Sequence, residues 1–217
     1  MTEIPGVVLA GGRSSRMGGG DKCLLELGGK PILDHVIERL RRQADPLAIN
    51  ANGDPSRFRR YGLPVVADSV SGFAGPLAGV LAGMDWASGL GARMIVTVAA
   101  DTPFFPEDLV LRMAATAEAD GSPLAMAVTR QGHGAETGLP AEGRPSTRHP
   151  TFGLWEVALR DDLRHALKSG VRKVVAWTVP HGCVHVEFPV HRFDPFFNVN
   201  TPDDMAKAEC LLRDIDT

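Results

Sequence analysis

Residues 7–31 constrain this chain more than any other stretch. Val7-Val8-Leu9-Ala10 is an apolar run of the kind that fills a buried strand. It empties into Gly11-Gly12-Arg13-Ser14-Ser15-Arg16-Met17-Gly18-Gly19-Gly20-Asp21-Lys22, a segment with five glycines, two arginines and a lysine. Glycine lets a backbone bend sharply and approach a ligand closely, because no Cβ intervenes. Successive N–H groups in such a bend form an anion nest. Arg13, Arg16 and Lys22 add positive charge on longer arms. Strand, loop and cations together describe a site for a phosphate chain, as in a nucleoside triphosphate. A glycine-rich surface loop is the competing account, and it explains neither the preceding strand nor the basic residues. Two common nucleotide loops are excluded. A P-loop requires Ser or Thr after its Gly-Lys, whereas Gly29-Lys30 is followed by Pro31. No register through Gly11, Gly12, Gly18, Gly19 or Gly20 gives the G-x-G-x-x-G dinucleotide pattern.

Beyond the loop, Cys23 to Leu27 reads as a short extended piece and Gly28 to Pro31 as a turn. Apolar residues at 32, 33, 36, 37 and 40 give Ile32 to Gln43 a helical period. Strands are expected at 47–51, 63–67, 94–100 and 124–129, and helices at 54–61, 76–86 and 107–119. Asp54 as N-cap and Pro55 at the first helical position mark the start of one of these. Such alternation predicts a doubly wound α/β domain with a single, mostly parallel sheet and helices on both faces. Ligands in that architecture sit beyond the C-terminal strand ends, where Gly11, Asn50, Asp68 and Asp101 fall. Further along, 132–150 reads as a polar, mobile loop, 151–155 as extended and 157–168 as helix. Residues 173–179 and 184–188 read as a small β-hairpin added in the C-terminal third. A short strand at 196–199 and a final helix from Thr201-Pro202 complete the chain.

The chain of 217 residues suits one domain, here divided into residues 1–130 and 131–217. A net charge of −3 gives no reason to expect non-specific binding to nucleic acid or an anionic membrane. Cys23, Cys183 and Cys210 are odd in number and widely spaced, so neither a disulfide framework nor a thiolate zinc site is indicated. His181, Cys183 and His185 would share a strand face, but a fourth ligand is missing. The N-terminus lacks the basic region of a signal peptide, and the uncharged stretch 69–84 is too short and too rich in Gly and Pro to span a bilayer. A cytoplasmic protein is the expectation.

Asp101 follows a buried run and faces the phosphate site from the end of a central strand. A carboxylate there suits Mg²⁺, which takes one or two carboxylates together with phosphate oxygens and water. A turn or N-cap role is the alternative. Lys22 is placed to neutralise charge on the reacting phosphates, and Arg16 to clamp two phosphate oxygens. Asn50 and Asp68 offer the donors and acceptors that a base and ribose require, although both types are common turn formers. Asn198 and Asn200 alternate along an extended piece, so their side chains share one face. They could bind a ligand or open the last helix.

Leu9-Ala10-Gly11-Gly12, Arg16-Met17-Gly18 and Asp21-Lys22 resemble the signature of nucleotidyltransferases that make nucleotide sugars and related conjugates. Gly75-Pro76-Leu77-Ala78-Gly79, His149 to Trp155 and Phe197 to Pro202 extend the likeness, most closely to the molybdenum cofactor guanylyltransferases. The segment 135–148 departs from the pattern. The resemblance implies that Leu9, Ala10, Gly11, Gly12, Lys22, Asn50, Asp68, Gly75 and Asp101 bind the nucleotide. It implies that Lys22, Arg16 and Asp101 act in catalysis, with Mg²⁺ on Asp101, and that Asn198 and Asn200 contact the acceptor. The expected reaction is GMP transfer from GTP to molybdopterin cofactor. A cytidylyltransferase of the same cofactor, a sugar-phosphate nucleotidyltransferase and a non-catalytic GTP sensor are the alternatives. A monomer is expected, with transient contacts to other cofactor-biosynthesis proteins or target molybdoenzymes.

Overall fold

The computed structural model describes residues 3–11, 21–70, 72, 75–130 and 146–215. Its first apolar run is strand β1 (Gly6–Leu9), in which Val7 and Val8 are fully buried. A strand buried on both faces is the mark of a parallel sheet covered on both sides. A 3₁₀ turn at Lys22–Leu24 and a two-residue hairpin, β2 (Glu26–Leu27) with β3 (Lys30–Pro31), lead into α1 (Ile32–Arg41). The chain then runs β4 (Leu47–Asn50), a 3₁₀ helix at Pro55–Tyr61, β5 (Val65–Val66), α2 (Pro76–Gly89), β6 (Met94–Ala99), α3 (Leu109–Asp120) and β7 (Leu124–Arg130). It continues through β8 (Ser146–Glu156), α4 (Arg160–Lys168), α5 (Val174–Thr178), β9 (Val184–Pro189) and α6 (Pro202–Ile215).

The seven-stranded sheet has the order β5-β4-β1-β6-β8-β7-β9. β8 is antiparallel to both its neighbours, and the other recorded pairings are parallel. Val8, α1, α3 and α6 contribute to one apolar cluster, and Val7, α2, α4 and α5 to the other. The alternation of adjacent residues between two cores is the period-2 geometry of a strand. The order reverses at β1, since the chain moves outward to β4 and β5 and then returns to β6 on the other side. That switch point opens the crevice in which such folds bind ligands.

Helix α2 approaches the sheet closely because it carries glycine. A Cβ on Gly79 would lie 2.3 Å from Asn50 Oδ1, and one on Gly83 would lie 2.9 Å from Val7 Cγ2. The small-residue side of this helix is therefore its contact surface.

The expected C-terminal hairpin is not formed. Residues 174–178 are helical, and β9 pairs in parallel with β7, from Ala125↔Val184 to Arg130↔Pro189. A short apolar run such as Val174-Val175-Ala176-Trp177 fits strand and helix equally. Tertiary contact decides it, because Val174 and Trp177 turn the same way into the core and Trp177 Nε1 donates to Asp162 Oδ1 at 2.7 Å. Residues 196–199 form no strand, as Phe197 N closes a turn on Asp194 O instead. β8 starts at Ser146, so Ser146 to Pro150 are sheet rather than loop; 131–145 lie outside the described residues. Among the described residues, no helix is long and apolar enough to cross a membrane.

Candidate active site

Asp101 stands just past the end of β6, beside the end of β1, where Ala100 N donates to Leu9 O at 3.1 Å. Lys22 reaches it from the 3₁₀ turn after the glycine-rich segment, with Nζ 2.6 Å from Asp101 Oδ2. The same ammonium lies 2.5 Å from Asn200 Oδ1. Lysine has three N–H donors, so one is left after these two contacts. The side chains of Lys22 and Asp101 are 17% and 23% exposed, which keeps the pair reachable from solvent while limiting its screening. The Thr102 hydroxyl sits 3.2 Å from Asp101 Oδ1 and 2.8 Å from Asn198 Oδ1, with a single proton to share. Val199 N donates to Asp101 O at 2.9 Å, so the segment carrying both asparagines is fastened to the strand end that carries the carboxylate. Three candidates far apart in sequence, Lys22, Asp101 and Asn200, thus converge on one point.

A second cluster lies at the ends of β4 and β5. Asn50 is almost fully buried and donates through Nδ2 to Val66 O at 3.1 Å and to Asp68 Oδ1 at 3.0 Å. Asn52 donates to Asp68 Oδ2 at 2.8 Å and accepts from Asp68 N at 3.0 Å. Each carboxylate oxygen has two lone-pair sites, so Asp68 is oriented and still has acceptor capacity on both oxygens. Leu9 and Ala10 connect the clusters, since Ala10 N donates to Asn50 O at 2.8 Å. Gly11 is exposed, and a Cβ there would approach Asn50 Oδ1 to 3.5 Å. Gly75 caps α2 at φ 147°, a conformation that side chains disfavour. The glycine is needed there for its backbone, since a Cβ would meet nothing nearer than Arg172 O at 3.8 Å.

On the far side of Asp101, His149 Nε2 contacts Thr129 Oγ1 at 2.9 Å, and its ring stacks on Phe196 at 4.3 Å. The β7–β8 register breaks at this place, between Met126 and Ala127, and such breaks re-aim side chains near functional sites. Burial holds the His149 imidazole below its ordinary pKa, with Asp194 pulling the other way. Cys23, next to Lys22, is buried and its thiol is pushed up to about 12, so it stays protonated.

Among the described residues, no group of three or more His, Cys, Asp or Glu could hold a metal ion. The trio considered above separates: His181 contacts Trp177 O and Asp162, Cys183 lies against Val184 O, and His185 is on β9. A single carboxylate at Asp101 nevertheless suits a hard divalent cation held mainly by phosphate oxygens and water.

Residues 6–183 match the model of the MobA-like NTP transferase domain. The chain belongs to that family. It is 49% identical over 213 residues to a molybdenum cofactor guanylyltransferase of Bradyrhizobium sp. (strain ORS 278), covering 97% of this chain and 93% of the relative. It is 49% identical over 216 residues to that of Mesorhizobium japonicum, covering 97% of both chains. Among solved structures, the molybdopterin-guanine dinucleotide biosynthesis protein A of Archaeoglobus fulgidus superposes with a TM-score of 0.72 at 22% identity, covering 97% of this chain and 100% of that one. At that identity, the likeness bears on the fold.

In this member of the MobA-like family, most candidates gather along the C-terminal edge of β4, β1 and β6. Gly12 and Arg16 lie outside the described residues, as does Arg13. Three residues at the site were not among the candidates. Asn52 brackets Asp68, Thr102 bridges Asp101 and Asn198, and Arg57 contacts Asp21. The i, i+2 spacing that selected Asn198 and Asn200 applies equally to Asn50 and Asn52 and would have found the first. Nothing local marks the other two.

Proposed function

We propose that this protein transfers GMP from GTP to the terminal phosphate of molybdopterin cofactor and releases pyrophosphate. The observation that carries the reading is the convergence of Lys22, Asp101 and Asn200 at the sheet's switch point, within a family of nucleotidyltransferases. GTP lies along the strand ends, its base and ribose toward Asn50 and Asp68 and its phosphates toward Lys22. An acceptor phosphate oxygen attacks the α-phosphorus in line, forming one P–O bond as the bond to the β-phosphate oxygen breaks. Negative charge then builds on the equatorial oxygens and the leaving group. The Lys22 ammonium offsets that charge from a fixed position, with Arg16 as a second clamp. Paired at 2.6 Å, Lys22 and Asp101 neutralise each other; a polyphosphate takes the ammonium and frees the carboxylate. Asp101 is the residue that would hold Mg²⁺, and the ion when bound would supply Lewis-acid charge stabilisation to the phosphates. Leu9, Ala10, Gly11, Gly12 and Gly75 shape the backbone around the nucleotide. Asn198 and Asn200 orient the acceptor, so the work divides between residues 1–130 and 131–217 of one domain. Positioning and electrostatics supply the rate, and no protein nucleophile is required. The enzyme acts as a cytoplasmic monomer, with transient contacts to the proteins that supply or receive the cofactor.

The test is pyrophosphate release with Mg²⁺ and molybdopterin cofactor, measured in parallel with GTP, CTP, ATP and UTP. Release with GTP alone is expected. Release with CTP would move the base preference to cytidine while keeping the fold and chemistry. GTP binding without release from molybdopterin cofactor or any sugar phosphate would make the protein a sensor.

A further inference from the structure

Arg57 joins the two clusters of the site. It projects from the 3₁₀ helix at Pro55–Tyr61, which is fixed without its help: Asp54 accepts from Ser56 N at 2.9 Å, and Phe58 is fully buried. Arg57 Nη2 donates to Asn52 O at 2.6 Å. Asn52 is the residue that brackets Asp68, at the base end. In the other direction, Arg57 Nε lies 2.7 Å from Asp21 Oδ2, and Asp21 immediately precedes Lys22. The pair is partly shielded, at 31% and 22% side-chain exposure. Its contact is one of charge, because the buried Nε–H has no hydrogen-bond acceptor among the described residues. Gly53 makes room for the guanidinium, since a Cβ there would lie 3.3 Å from Arg57 Nη1.

We propose that Arg57 is a positioning residue that couples the two ends of the nucleotide, linking Asp68 and Asn52 at the base to Asp21 and Lys22 at the phosphates. Base binding firms Asn52, Asn52 holds the guanidinium through its carbonyl, and the guanidinium holds Asp21 and so the backbone that carries Lys22. The planar fork of arginine presents Nη2 and Nε to the two contacts in a fixed geometry, whereas a lysine ammonium is a single point charge on a flexible stem. The inference rests on the GTP reading above.

The experiment compares the affinities of GTP and guanosine for the intact chain and for Arg57→Ala, Arg57→Lys, Asp21→Asn and the Arg57→Ala/Asp21→Asn double variant. Coupling between sites commonly amounts to 5–150-fold. Arg57→Ala is expected to weaken GTP binding about tenfold while guanosine binding stays within about twofold. Asp21→Asn should do the same without disturbing the 3₁₀ helix, and the double variant should be no worse than either single one, because all three break one linkage. Arg57→Lys should recover part of the loss. Equal losses for GTP and guanosine, an unchanged GTP affinity, or multiplying losses in the double variant would each overturn the coupling role. Failure of the unmodified chain to bind GTP would overturn the guanylyl reading and this inference with it.

Discussion

The two sides of the active site are held by different means. On the proposed nucleotide side, Leu9 and Asn50 end adjacent parallel strands in direct register, and Leu9 also pairs with Ala99, two residues before Asp101. Their positions are set by ladder hydrogen bonds and by fully buried neighbours. On the proposed acceptor side, Asn198 and Asn200 ride on irregular backbone fastened at a few points. These include Val199 N to Asp101 O and the Phe196 ring among Phe152, Phe188 and His149. A strand end fixes a side chain through many cooperating bonds, whereas an irregular segment does so through a handful of side-chain contacts that open more readily. Changes on the first side should therefore strike chemistry or folding, and changes on the second should strike acceptor affinity.

The largest effect is expected at Asp101. Asp101→Ala removes the carboxylate that pairs with Lys22 and leaves its ammonium with Asn200. Turnover should fall on the order of a thousandfold, while GTP binding, measured by titration, stays within about tenfold. Near-normal turnover would remove Asp101 from the chemistry.

Gly79→Ala tests the rigidity of the nucleotide side. Its new Cβ would sit 2.3 Å from Asn50 Oδ1, against a buried side chain held by its hydrogen bonds to Val66 O and Asp68 Oδ1. Overpacking of this kind costs about 1–3 kcal/mol, readable as a lowered denaturation midpoint, and GTP affinity should fall with it as Asn50 is displaced from Asp68. Alanine at Gly89, in the same helix and where a Cβ would meet nothing within 4 Å, is the control: it should leave GTP affinity unchanged and should not lower the midpoint.

Asn200→Ala should act on the other side and more weakly. Its amide accepts from Lys22 and its backbone N–H is held by Asp204, so truncation leaves the helix start in place. About a tenfold rise in acceptor KM is expected, from the loss of one hydrogen bond to a charged group. The KM for GTP should change little. A matching rise in both would mean that the irregular segment serves the nucleotide as well.

The same contrast explains what could be read from the sequence. Asp101, Asn50 and Asp68 follow apolar runs, so their strand-end placement is legible from period and polarity alone. Lys22 is legible through the glycine-rich segment before it. Arg57 is not, because what gives it a role is the spatial approach of Asp21 and Asn52, and an arginine on a short helix has no local mark. Residues 173–188 were ambiguous for another reason. Apolar runs too short to show a period take their form from their partners, which here are Asp162 and Trp155 for α5 and β7 for β9. The stack of His149 on Phe196 joins two segments whose only link is tertiary.

That stack provides the smallest and most selective test. Burial holds the His149 imidazole below its ordinary pKa, and Asp194 offsets this only in part. In an unfolded chain the same group titrates near about 6.5. Between the two values the unfolded state binds more protons, so stability is complete above about 6.5 and declines as the pH falls through that window. Denaturant midpoints measured from pH 8 to pH 5 should show the decline, and His149→Gln, which keeps a polar partner for Thr129, should flatten it. Protonation strains the packing of Phe196, which precedes Asn198 and Asn200, rather than the parallel strands. Acceptor KM should therefore rise at low pH before the KM for GTP does, by more in the native protein than in His149→Gln. Comparison of the two proteins cancels the titration of the substrate phosphates, which is common to both. If the two KM values rose together and His149→Gln altered neither, the acceptor side would be as firmly held as the strand ends, and the difference between the two sides would lie in their chemistry alone.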